Sequence, residues 1–473
     1  MRRITKISKT LNMKNIERIL LIPLLLILML PTYGCKEDLD SLEQPGSSLK
    51  SAPIQYDTPF GNVPETADII MYEVNLLAFS PEGTLQGVQT RLDAIKDVGV
   101  NVVWLMPIHP IGELKGIGSP YAVRDHRQVN PKLGSLENLR EFVKEAHKRD
   151  MAVILDWVAN HTSWDNSWIQ HNKSWYTQNT NGEIVSPQGW TDVAQLNFNN
   201  QEMRKEMISA MKYWILEANI DGYRCDYADG VPNDFWKQAI DTLTAIPNRE
   251  IIMFAEGAKK DHFSSGFSLN FGWNFYGKLK EVFNQNASSE ILSAANEADY
   301  SGIQANAHVL RFISNHDDNA WDNTPLHIFK GKQGSLAAFA ITAFMGGVPL
   351  IYTGQEVGYP EQLSFFEQTP VDWTINPEIT NEYQKLITLR KSNNALKRGK
   401  LIPYNNDSDI VAFKRVLETD EVVVLVNVRN RSIEYTLPQQ LADSHWHNAF
   451  SSSKVTLGQT INLQPFSYLV LKN

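Results

Sequence analysis

Eight short runs of buried-type residues, most of them separated by helix-patterned stretches, narrow the folds open to this chain more than any other feature. They lie at 69–75, 100–107, 151–158, 222–228, 251–257, 268–273, 308–317 and 347–356. Between them, 87–98 sets Val88, Leu92, Ile95 and Val98 at helical spacing, and 136–149 does the same with Leu139, Phe142, Val143 and Ala146. The strand-like runs are nearly all apolar, as parallel strands covered on both faces are. Eight alternations predict a (β/α)8 TIM barrel in the α/β class rather than an open doubly wound sheet. No G-x-G-x-x-G follows an early strand, which argues against a dinucleotide fold.

Two departures from the alternation define further domains. The stretch 162–197 is polar but holds Trp164, Trp168, Trp175, Tyr176 and Trp190, too long and too aromatic for a plain connection. It reads as a small subdomain inserted after the third strand, forming one wall of a cleft. From 393 to 473 the helical pattern stops, and strand-like runs at 410–414, 422–427 and 468–471 predict a C-terminal antiparallel β-sandwich. The barrel then occupies 61–161 and 198–392.

Three of the strand-like runs end in an acid. Residues i and i+2 of a strand share a face, so Arg224 and Asp226 project together, and a neighbouring arginine favours an ionised carboxylate. The same pair would serve as a structural ion pair. Glu256 ends an apolar run with no cation next to it in sequence, where burial disfavours ionisation. Asp317 ends a third run, within Asn315-His316-Asp317. Barrel chemistry is built at the C-terminal strand ends. Carboxyls converging there without a dense His/Cys set suit acid/base and covalent work on a glycosidic bond.

These residues resemble the four motifs of glycoside hydrolase family 13, the α-amylase family, in order: Asp156 with Asn160-His161, Gly222 to Asp226, Phe254-Ala255-Glu256-Gly257, and Phe312 to Asp317. The resemblance covers about 65–473. It implies retaining hydrolysis of α-1,4-glucosidic bonds in starch or maltooligosaccharides, by an endo-acting enzyme. Asp226 would be the nucleophile, Glu256 the acid and then base, and Asp317 the transition-state stabiliser. Arg224 would keep Asp226 ionised. Tyr121, His161 and His316 would bind the sugar, and Asp156 would hold the site from below. The resemblance also implies a calcium ion on Asn160 and Asp192, and no organic cofactor. The usual loop aspartate is replaced by Gln195, and Asp229-Gly230 stand where many α-amylases carry Lys-His. Neopullulanase-like, cyclomaltodextrinase-like or transglycosylating action therefore stays open, as does a catalytically silent starch-binding protein.

The first residues resemble an exported bacterial lipoprotein. Lys14 and Arg18 precede an apolar run at 19–30, and Gly34-Cys35 and an acidic 36–38 follow, as in Bacteroidetes surface amylases. The expectation is a signal peptide at 1–34, a lipidated Cys35 at the outer membrane and a flexible tether at 35–60. The net charge is −9, and the first 34 residues are basic, so the remainder is more acidic still. That charge argues against a nucleic-acid partner and leaves an α-glucan as the expected one, bound by a monomer. With Cys225 inside a buried run, no disulfide is expected.

Overall fold

The computed structural model describes residues 54–473. The expected signal peptide, Cys35 and most of the tether lie outside the described residues. The last part of the expected tether does not hang free. Tyr56 N donates to the Leu216 carbonyl at 2.7 Å and Phe60 stacks on His147 at 4.3 Å, so the chain is fastened to the barrel from the start of the described residues.

Eight parallel strands close into a barrel: β1 (Met71–Val74), β2 (Val102–Leu105), β3 (Ala152–Val158), β4 (Gly222–Asp226), β5 (Ile252–Ala255), β6 (Leu269–Phe271), β7 (His308–Arg311) and β8 (Val348–Tyr352), with β8 pairing back to β1. All seven residues of β3 are buried, so its apolar run reflects a sheet covered on both faces. β3 and β4 pair with Asp156 opposite Arg224 and Val158 opposite Asp226, which sets acid and base side by side. The start of β4 needs Gly222. Its φ is +152°, and a Cβ there would stand 2.0 Å from the Ile252 carbonyl oxygen of the next strand.

Helix Leu136–His147 opens on a Ser135–Asn138 capping box and buries Leu139, Phe142, Val143 and Ala146. The expected helix at 87–98 is broken into Leu85–Gln89 and Leu92–Val98. The Thr90 hydroxyl donates to the Gly87 carbonyl at 2.7 Å, a local bond that competes with helix continuation. The third strand leads into an excursion whose base is an antiparallel pair, His161–Ser163 with Val193–Gln195.

The C-terminal domain is an antiparallel sheet of six strands, Lys400–Tyr404, Ile410–Leu417, Asp420–Asn427, Tyr468–Lys472, His445–Asn448 and Lys454–Thr456 in spatial order. A second layer of only two strands, Ile433–Thr436 and Thr460–Leu463, makes the expected sandwich lopsided. Ile410, Ala412, Val423 and Leu425 face that layer, whereas Val411, Phe413, Val422 and Val424 join the barrel core. The period-2 alternation is therefore hidden in sequence, because both faces of the central strands are buried.

Candidate active site

At the C-terminal ends of the strands one guanidinium holds three carboxyls. Arg224 Nη1 donates to Asp156 Oδ1 at 2.7 Å and to Asp226 Oδ1 at 3.0 Å, and Nη2 lies 3.0 Å from Glu256 Oε2. Side-chain exposure rises from 0% at Asp156 and 1% at Arg224 through 12% at Asp226 and 18% at Glu256 to 42% at Asp317. The first pair is thus the floor and the last residue the mouth. The expectation that Glu256 has no cation beside it fails, because β4 brings Arg224 to it across the sheet.

Arg224 does favour the ionised Asp226, but burial acts on that carboxyl more strongly. Burial pushes the Asp226 carboxyl well above its usual range, Arg224 pulls against it, and Glu256, Asp156 and Asp317 push it further up. One cation shared between these two buried acids cannot hold both Asp156 and Asp226 ionised, so the two titrate together.

The backbone turns sharply after Asp226. Tyr227 has φ +40°, uncommon for a residue with a side chain, and its N–H thereby reaches Glu256 Oε2 at 2.6 Å. Both Glu256 contacts fall on Oε2, and the Arg224 contact of Asp226 falls on Oδ1. Glu256 Oε1 and Asp226 Oδ2 have no protein partner among the described residues. Each acid has one oxygen fixed and one free.

A cavity of about 340 Å³ lies over these atoms, lined by Tyr121, His161, Trp190, Asp226, Glu256 and Asp317 among others. Asp317 is not on a strand as expected. β7 ends at Arg311, and Asp317 sits in the first turn of helix His316–Trp321, which the Asn315 side chain caps. The two histidines differ in charge. Burial lowers His161 to about 4, and the Asn160 amide nitrogen lies 3.2 Å from Nδ1. His161 is therefore neutral at pH 7.

His316 has Nδ1 2.5 Å from Glu73 Oε1 and Nε2 2.8 Å from the Tyr121 hydroxyl, which donates to Asp156 Oδ2 at 3.1 Å. Burial alone would lower its pKa, but Asp317 and Glu73 outweigh burial and raise it from 6.5 to about 9. A group raised in the folded state stabilises below its unfolded pKa and loses that contribution as pH climbs through the folded one. The shift corresponds to about 3 kcal/mol. The Tm is expected to fall between pH 6.5 and about 9, and His316→Gln to flatten that fall; equal slopes in both proteins exclude the pair as its source.

Glu73 was missed in the sequence, although a lone acid in an apolar strand was the available signal. Trp104 was missed too. Its Nε1 donates to Asp156 Oδ2 at 3.2 Å, and its ring lies 5.8 Å from Phe254 inside the barrel. Trp321, 69% exposed, and Phe365 add an aromatic wall that no motif marks.

The two implied calcium ligands stand in different surroundings. Asn160 is buried against His161, while Asp192 lines the open cavity. No group of three or more His, Cys, Asp or Glu side chains suited to a metal occurs among the described residues. A hard dication needs several oxygen ligands, ideally charged.

The sequence matches the family described as alpha amylase, catalytic domain, over residues 54–193 and 171–372. The chain belongs to the α-amylase family. It is a glycoside hydrolase of that family. Alpha-amylase 2 of Dictyoglomus thermophilum is 28% identical over 404 residues, covering 78% of this chain and 68% of that protein. An intracellular maltogenic amylase of Bacillus subtilis is 25% identical over 82% of this chain and 69% of its own. The solved α-amylase from Lactobacillus plantarum superposes with a TM-score of 0.78 at 25% identity, over 86% of this chain and 99% of that one.

Proposed function

We propose that this family member hydrolyses α-1,4-glucosidic bonds of starch or maltooligosaccharides with retention, through a covalent glycosyl-enzyme. The bridging of Asp226 and Glu256 by Arg224 carries this reading. One guanidinium touches both carboxyls, each at 3.0 Å. A pair held by a single side chain in this way is compatible with the roughly 5–5.5 Å of a retaining pair. The free oxygen of Asp226 attacks the anomeric carbon. The proton held by the carboxyl cluster passes from Glu256 to the departing glycosidic oxygen. Glu256 then takes a proton from the water that releases the sugar. Asp317 and His316 grip sugar hydroxyls, and neutral His161 donates to one.

Endo-action on a long chain is supported by a second cavity of about 930 Å³, which shares Phe365 and Phe366 with the first. The second reading, action on small or cyclic maltodextrins, is favoured by relatives named maltogenic amylase and cyclomaltodextrinase.

Soluble starch, pullulan and maltoheptaose distinguish the readings, with products analysed by mass and anomeric NMR. The expected result is α-configured maltooligosaccharides from starch, absent with Glu256→Gln. Panose or longer transfer products favour the second reading. No product, with starch still retained in a pull-down, leaves a silent binder and overturns the proposal.

A further inference from the structure

A further cavity, of about 640 Å³, lies at the opposite end of the barrel, against the C-terminal sheet. Its wall is built from the segments that precede β1 and β8, the first residue of β7, helix Glu290–Tyr300 and strand Ile410–Leu417. Basic side chains crowd around it, and most have counter-ions. Arg398 pairs with Asp68 and Glu65, Lys397 with Asp68 at 2.8 Å, and Arg311 with Asp299 at 2.6 Å.

Arg415 has none. It is only 5% exposed, yet no carboxylate lies within salt-bridge distance among the described residues. Its Nε donates to the Ala395 carbonyl at 3.2 Å and its Nη1 to the Met345 carbonyl. Nη2 has no protein acceptor, is not sealed from solvent, and belongs to a residue that lines the cavity. Arg390 nearby is likewise held only by the carbonyls of Ala343, Leu396 and Gly347. Burying an unpaired cation is costly, and a guanidinium with a free amino edge matches an oxyanion. The local field is felt by His308 in the same wall, which burial and then Arg390, Arg398 and Arg415 lower to about 4.

We propose that this cavity binds a small oxyanion, a phosphate or a carboxylate, on the free edge of Arg415, and that the anion fastens the C-terminal domain to the barrel. Glu65 at the rim is the one acid among the lining residues, and Arg398 engages it.

The test is calorimetric titration of the intact protein at low ionic strength, with inorganic phosphate in one arm and acetate in the other. Maltotriose is present throughout to occupy the catalytic cleft. The expected result is one-site saturable binding with a Tm rise of about 2 °C or more at saturation. Tighter binding of acetate than phosphate assigns the site to a carboxylate, and the reverse to a phosphate. Arg415→Gln is expected to abolish binding while starch hydrolysis stays within twofold. If that variant folds poorly, Asn306→Asp, which adds a carboxylate to the same wall, is expected to weaken phosphate binding several-fold. No saturable binding of either anion, or binding unchanged in both variants, overturns the site.

Discussion

Asp226→Asn is expected to lower kcat on maltoheptaose by about 10³- to 10⁵-fold while the protein stays folded, because a nucleophile removed from a covalent mechanism has no substitute nearby. The substitution keeps the shape and one oxygen for Arg224, so the floor made by Asp156 and Arg224 survives. It also removes an ionisable group that burial and three neighbouring acids disfavour in its charged form. A carboxyl whose folded pKa is raised stabilises only at low pH and costs stability once it ionises as pH rises. The Tm at neutral pH is therefore expected to hold or to rise, with circular dichroism unchanged. Turnover within tenfold of the original removes Asp226 as nucleophile. A large fall in both kcat and Tm reassigns it to the scaffold.

The barrel was legible because most of the eight strands lie in largely apolar runs, and a parallel strand buried on both faces announces itself without any pattern to decode. Asp156, Asp226 and Glu256 were legible for the complementary reason: each is a charge where an apolar run should continue. What closes the site across the sheet was not. Arg224 was paired with Asp226 because they share a strand face, and its contact with Glu256 depends on strand register, which no local spacing encodes. The left-handed turn at Tyr227 is a backbone event in a residue type that gives no hint of it. Trp321 reaches the cavity from the end of helix His316–Trp321 and Phe365 from the loop after β8, and both read in sequence as ordinary surface aromatics. The C-terminal strands that were missed, such as Lys454–Thr456, are short and largely exposed, so no apolar run marks them.

Arg224 is where stability and chemistry meet. Its side chain is 1% exposed and its Cζ lies 5.0 Å from the Trp104 ring centre and 5.7 Å from that of Tyr121. Arg224→Met fills the space but leaves Asp156, Asp226 and Glu256 buried around no cation, for an expected loss of about 3–5 kcal/mol at neutral pH. Asp156 and Asp226 respond by holding protons, so their folded pKa values, already raised by burial, rise further above the unfolded ones. Groups raised in this way contribute stability at low pH and lose it as pH climbs. The deficit of Arg224→Met is thus expected to be widest near pH ~7 and to narrow towards pH ~3, where the acids are largely protonated in both states. Arg224→Lys keeps the charge, but a single ammonium cannot bridge three carboxyls held at fixed angles. It is expected to recover much of the Tm and little of the turnover. Denaturant titrations of the three proteins across pH decide the matter: a deficit for Arg224→Met that is independent of pH means the arginine packs rather than balances charge, and full activity in Arg224→Lys means the bridge between Asp226 and Glu256 is dispensable.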